Sequence, residues 1–189
     1  MELTKEYIKQ QKEEIKLNYI SHRGWEEVPV IKNRYMALKK FCEGAKRILC
    51  VGSGGVEPIA IGATHAVDVH ISAGDLLREQ GWKGAFYVGS CDNLASNWSS
   101  KQCMFDVAVC SEVIEHLPDL ESVKRTFKEL NRVAKRWIVT TPAIRIADPG
   151  HIWFFTREAL KGLTKNLSCY IVKHGIHFYI YNDERKIFN

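Results

Sequence analysis

The feature that most constrains this chain is an apolar run that stops abruptly in glycine, Arg47-Ile48-Leu49-Cys50-Val51-Gly52-Ser53-Gly54-Gly55-Val56. Four apolar residues in succession, with no polar alternation, fit a strand covered on both faces, which is the environment of a parallel sheet. A glycine turn at the end of such a strand brings the amides of Gly52, Ser53 and Gly54 to a place where an anion can be cradled. A plain tight turn between strand and helix would use the same residues. A dinucleotide-binding turn would need glycine five positions after Gly52, where this chain has Glu57, a negative charge set against a pyrophosphate. A ligand carrying one carboxylate and one ammonium suits the turn better.

From residue 46 onward apolar runs alternate with amphipathic stretches, the pattern of βαβ units. Strands are predicted near 47–51, 65–69, 85–88, 105–110 and 136–140, and helices near 55–62, 72–80 and 118–134. Pro118 and Asp119 mark the start of the last of these. A further helix follows Thr156, an N-cap candidate with Glu158 in the first turn. Two closing apolar runs, 168–172 and 176–181, are separated by Lys173-His174-Gly175 and predict an antiparallel hairpin. Residues 3–18 and 28–41 carry apolar residues at helical spacing and predict two surface-packed helices, joined by an aromatic connector over 19–29. The expected fold is therefore a Rossmann-like, doubly wound α/β/α sandwich in one domain, with a helical N-terminal cap over 1–44 and the core over 45–189.

At 189 residues the chain can bury a core large enough to stand alone. Its formal charge of +5 comes from scattered lysines and arginines, which argues against a dedicated nucleic-acid surface. The six cysteines include no Cys-x-x-Cys pair and fall mostly in apolar segments. They read as reduced, buried thiols of a cytoplasmic protein rather than a zinc site. No signal-peptide core or membrane-length apolar run is expected.

Three strand exits carry chemistry. Ala66-Val67-Asp68-Val69 leaves a lone carboxylate at the end of the second strand, where it could accept hydrogen bonds from both hydroxyls of a ribose. A helix cap or solvated turn acid is the alternative. Gly89-Ser90-Cys91-Asp92 offers another acid after the third strand, placed to accept from an adenine amino group. The fourth strand and its exit run Phe105-Asp106-Val107-Ala108-Val109-Cys110-Ser111-Glu112-Val113-Ile114-Glu115-His116-Leu117-Pro118-Asp119.

That last segment resembles the class I S-adenosylmethionine-dependent methyltransferases, many of whose small-molecule members carry Ser-Glu-Val-Leu-Glu-His-Leu-Pro-Asp. The likeness extends to Thr140-Thr141-Pro142 and to the stretch from Gly150 to Leu160, similar to a His-x-x-x-Phe-Thr-x-Glu-x-Leu segment. It implies S-adenosylmethionine as cofactor and a small-molecule methyl acceptor, with an oxygen acceptor favoured over nitrogen. Gly52, Ser53 and Gly54 would meet the methionine end, Asp68 the ribose, Cys91 and Asp92 the adenine, and Ser111 the methyl-donor side. His116 and His151 are candidate general bases, although in relatives this histidine often only supports the loop. Glu112, Glu115, His116 and His151 also resemble the metal ligands of some RNA 2'-O-methyltransferases, while the two glutamates can equally serve a helix start; the reading adopted has no metal. The chain departs from the family at Cys50, where an acid is usual, and at Val56, where a glycine is usual. Two other readings remain open: methylation of RNA or another polyanion, which strong salt dependence would favour, and a methyltransferase-like fold retained only for binding.

Overall fold

β1 (Ile48–Val51) is buried at every position, because its odd and even side chains enter different cores. Leu49 and Val51 join one apolar cluster, Ile48 and Cys50 the other. The structure, a computed structural model, describes residues 25–99, 104–145, 150–184 and 187–188. The helix expected over 3–18, and the connector as far as residue 24, lie outside the described residues.

Around β1 are β2 (His65–Asp68), β3 (Ala85–Val88), β4 (Phe105–Ser111), β5 (Ala134–Pro142), β6 (Tyr170–His174) and β7 (His177–Tyr181). They form one sheet in the order β3-β2-β1-β4-β5-β7-β6. The first five strands run parallel; β7 is antiparallel to both β5 and β6. Helices α1 (Pro29–Cys42), α2 (Glu57–Ala60) and α3 (Ile71–Glu79) cover the face carrying Cys50. Helices α4 (Leu120–Val133) and α5 (Arg157–Leu163) cover the other. This is the expected doubly wound, three-layer α/β sandwich with a terminal antiparallel hairpin.

Local sequence accounts for most boundaries. Val123, Phe127, Leu130 and Val133 form the buried stripe of α4; each contributes roughly 1.5–3 kcal/mol on burial. Asp119 caps that helix by accepting from the Ser122 amide at 2.6 Å, and Thr156 caps α5 by accepting from Ala159 at 3.1 Å. Three elements differ from expectation. β5 begins at Ala134, two residues early, because α4 passes into extended backbone at Ala134 and Ala134 already pairs with Phe105. The hairpin is displaced: Lys173 and His174 are strand residues paired with Phe178 and His177, and the chain reverses over Gly175 and Ile176, with Gly175 at φ +60. α2 is a single turn, shorter than the helix predicted over 55–62, and Gly62 at φ +70 follows it.

Strand order reverses between β1 and β4, so a crevice opens at their carboxyl ends. Among the described residues no helix is long and apolar enough to cross a membrane.

Candidate functional site

A cleft of about 450 Å³ occupies this crevice, within the size range of small-molecule sites. β1 contributes Gly52 and Gly54, β2 contributes Asp68, the exit of β3 contributes Cys91, and the exit of β4 contributes Glu112 and His116.

The turn needs glycine first. Gly52 adopts φ +77, and a Cβ there would stand 2.2 Å from Cγ2 of Val113 across the cleft floor. Its amide donates to the Val67 carbonyl at 2.9 Å, and the Ser53 amide donates to the Asp68 carboxylate. Both amides therefore tie the turn to β2, leaving Gly54 nearest the cavity. Ser53 is buried off the cleft, and its hydroxyl has no hydrogen-bond partner among the described residues.

Asp68 is 8% exposed and lies on the wall. Burial raises its pKa, against hydrogen bonds from the amides of His70, Ser53 and Val69. Cys91 also lines the wall; burial raises its thiol, to which Thr126 donates at 3.4 Å. Asp92 turns away. It accepts from the Ser90 hydroxyl, and its Oδ2 takes both Nε and Nη2 of Arg125, at 3.2 and 2.8 Å. Burial opposes ionisation there, but these bonds outweigh it and hold the carboxyl below its usual range.

Beyond β4 the chain is strained. Glu112 has φ +56, the left-handed region that costs a residue with a Cβ about 1–2 kcal/mol. Its side chain accepts from Thr140 at 2.8 Å and lies 3.3 Å from Arg34 and 3.4 Å from His177. Burial opposes the Glu112 charge, yet His177, Arg34 and Thr140 together hold its pKa below the ordinary value. Ser111 sits deeper, 4% exposed, its hydroxyl oxygen 2.8 Å from that of Thr140 and bonded to Glu57.

Glu115 is fully buried and accepts from Thr141 at 3.1 Å. Burial first, then Glu112, pushes its pKa well above the usual carboxylate value. His116 Nδ1 is 2.8 Å from the Gly150 carbonyl. A carbonyl can only accept, so Nδ1 carries hydrogen and Nε2 of the neutral ring keeps its lone pair. His151 packs edge-on against His116, ring centres 4.7 Å apart, in an adjoining crevice with Pro142 and Trp153. One ligand atom from each of Glu115, His116 and His151 lies within 4.8 Å of the others, a mixed nitrogen and oxygen set able to take a divalent ion. Glu112 is not in this group: the segment is a short 3-10 turn over Ile114–His116, so Glu112 points to Arg34 and His177 instead.

Of the residues singled out in the sequence, the cleft thus brings together Gly52, Gly54, Asp68, Cys91 and His116, while Ser53, Asp92, Ser111 and His151 lie behind or beside it. Arg34 and His177 were not singled out, while Glu57 stood only as the acid set against a pyrophosphate and Thr140 only as part of a motif. Arg34 was legible in part, since it shares the buried face of α1 with Leu38 and Phe41. Glu57 follows the turn directly, but nothing in its spacing tells that it is buried.

No protein-family model and no curated protein matches the chain. Solved structures do. A Pyrococcus horikoshii protein superposes with a TM-score of 0.63 at 19% identity, over 82% of this chain and 90% of its own. The 1,6-didemethyltoxoflavin-N1-methyltransferase of Burkholderia thailandensis, solved with 1,6-didemethyltoxoflavin and S-adenosylhomocysteine, gives 0.58 at 14% identity over 96% and 89%. The N-methyltransferase NodS of Bradyrhizobium japonicum, solved with S-adenosylhomocysteine, gives 0.58 at 16% over 79% and 83%. The chain has the fold of S-adenosylmethionine-dependent methyltransferases.

Proposed function

We propose that the protein is an S-adenosylmethionine-dependent methyltransferase acting on a small-molecule acceptor. The observation that carries this reading is Asp68, a buried carboxylate on the wall of the switch-point cleft, beside a turn that admits only glycine at position 52. The cleft residues fit the donor. Asp68 is the acceptor for the ribose hydroxyls. Cys91, Val67 and Leu117 offer an apolar slot for the adenine, with Asp92 braced behind it by Arg125. Gly52 and Gly54 let the methionine end approach the backbone, with Ser53 and Ser111 supporting the turn from below. When bound, the donor supplies an electrophilic methyl group on a positively charged sulfur.

Such a transfer asks little covalent work of the protein, which must align the acceptor with the methyl–sulfur bond and exclude water. The acceptor lone pair forms the new bond to carbon as the carbon–sulfur bond breaks. His116, which lines the cleft and turns its Nδ1 to the Gly150 carbonyl, is the group placed to take a proton from an acceptor hydroxyl or amine. His151, packed on that ring, orients it.

Calorimetric titration with S-adenosylmethionine and S-adenosylhomocysteine tests it. Both should bind, and Asp68→Ala should weaken both at least roughly tenfold, about 1.4 kcal/mol. No binding at about 1 mM ligand, a standard free energy of only about −4 kcal/mol, would overturn the assignment.

A further inference from the structure

Glu57 and Glu115 each keep one buried carboxylate oxygen with no hydrogen-bond partner among the described residues. Glu115 belongs with His116 and His151. Glu57 does not line the cleft, and a buried carboxylate kept half-satisfied costs enough to need a reason. It is 5% exposed, opens α2 two residues beyond the glycine turn, and bonds to Ser111 at the carboxyl end of β4. Its position is therefore behind the wall that Gly52 and Glu112 present to the cleft.

The charges around it do not balance. From α1, Arg34 faces both Glu57 and Glu112, and Tyr35 lies in the same field. Cys50 of β1 and Cys110 of β4 also face Glu57, and His177 of β7 reaches the group through Glu112. Burial, and then Glu57 itself, pushes the Cys50 thiol well above its ordinary value, so that thiol stays neutral. One guanidinium between two carboxylates leaves a surplus negative charge unless Glu57 holds a proton or a cation comes near. S-adenosylmethionine brings one: its sulfonium and ammonium against one carboxylate sum to +1, whereas S-adenosylhomocysteine is neutral overall.

We propose that Glu57 is a positioning residue for the charged methyl donor, its carboxylate supplying beneath the glycine turn the negative charge that the neutral Cys50 does not, and thereby favouring the sulfonium donor over its thioether product. The proposal rests on the methyltransferase reading. A consequence concerns pH. Burial raises the Glu57 pKa to about 7, against the pull of Arg34 and Ser111. Near neutral pH the free protein is a mixture of both forms, and a bound cation draws Glu57 into the ionised one and releases a proton.

The test is calorimetry on the full chain with each ligand, from about pH 6 to about pH 8.5, in buffers of different ionisation heat. For the parent, affinity for S-adenosylmethionine should rise as pH passes about 7, with proton release on binding. In Glu57→Gln, S-adenosylmethionine should weaken roughly tenfold, equivalent to about 1.4 kcal/mol. Affinity for S-adenosylhomocysteine should change far less, and the pH rise and proton release should vanish. Proton release that persists in Glu57→Gln would belong to another group, and with an unchanged ratio of the two affinities it overturns the proposal. If Glu57→Gln does not fold, Glu57→Asp, which keeps the charge, must keep the parent's preference for the sulfonium ligand, and the parent must release its proton; failure of either overturns the proposal. A parent that binds neither ligand overturns the methyltransferase reading itself, a result separate from a parent that binds both without dependence on Glu57.

Discussion

The two walls of the cleft solve the same problem by opposite means. On the β2 side, the Asp68 carboxylate is held by the amides of Ser53, Val69 and His70, all within fifteen positions of it in the chain. On the β4 side, Glu112 and Glu115 are held by side chains from distant segments: Arg34 of α1, His177 of β7, Thr140 and Thr141 of β5. A carboxylate held by backbone is fixed once the local turn forms. One held by side chains depends on the whole sandwich closing, and its charge can be tuned by any partner.

The comparison breaks most sharply at Arg34. Arg34→Met would leave Glu57 and Glu112 buried without their shared cation, a loss of about 3–5 kcal/mol in urea unfolding near neutral pH. The deficit should shrink in mild acid as Glu57 takes a proton.

Next comes the pH slope of the parent itself. Glu57, raised from 4.5 to about 7, is stabilising when protonated; that contribution is complete below 4.5 and is lost as pH rises through about 7. Glu112 runs the other way, its pKa being depressed: its contribution is present above 4.5 and is lost as pH falls through the folded value. Glu57→Gln should therefore gain stability over the parent between mild acid and about pH 8, on the order of 3 kcal/mol. Equal pH slopes of unfolding in the two proteins would show that Glu57 is not buried as described.

On the backbone-held wall, Gly52→Ala drives a methyl group into Val113 at a positive φ. A stability loss of about 1–3 kcal/mol is expected, together with loss of donor binding by calorimetry. The smallest effect is expected at Arg125→Ala. Its guanidinium is half exposed and pairs with Asp92 outside the cleft, so thermal unfolding should report no more than about 1 kcal/mol, fading with salt.

This contrast also explains what was legible in the sequence. The strands from β1 to β4 fell within a residue or two of expectation because an unbroken apolar run has few ways to be buried. The hairpin shifted because Lys173 and His174 lie on the outer strand of the sheet, where polar side chains reach solvent and conceal the pairing. In the cleft, Gly52 and Asp68 stood out because their partners are neighbours in the chain. Asp92 did not reveal its direction, since Arg125 lies 33 residues away. The Arg34–His177 contact spans 143 residues, and no pattern within one segment announces it. Cys50 drew attention as a missing acid; that a carboxylate arrives from position 57 required the packing of α2.

The direct passage from Val133 into Ala134 leaves no slack between α4 and β5. Helix and strand behave there as one gear train: a single residue inserted at the junction would turn the helix by about 100° or move every β5 side chain to the opposite face of the sheet. Thr140 and Thr141 would then leave Glu112 and Glu115 together. The spacing of that one joint thus sets the hydroxyls that hold Glu112 on the cleft wall and Glu115 buried behind it.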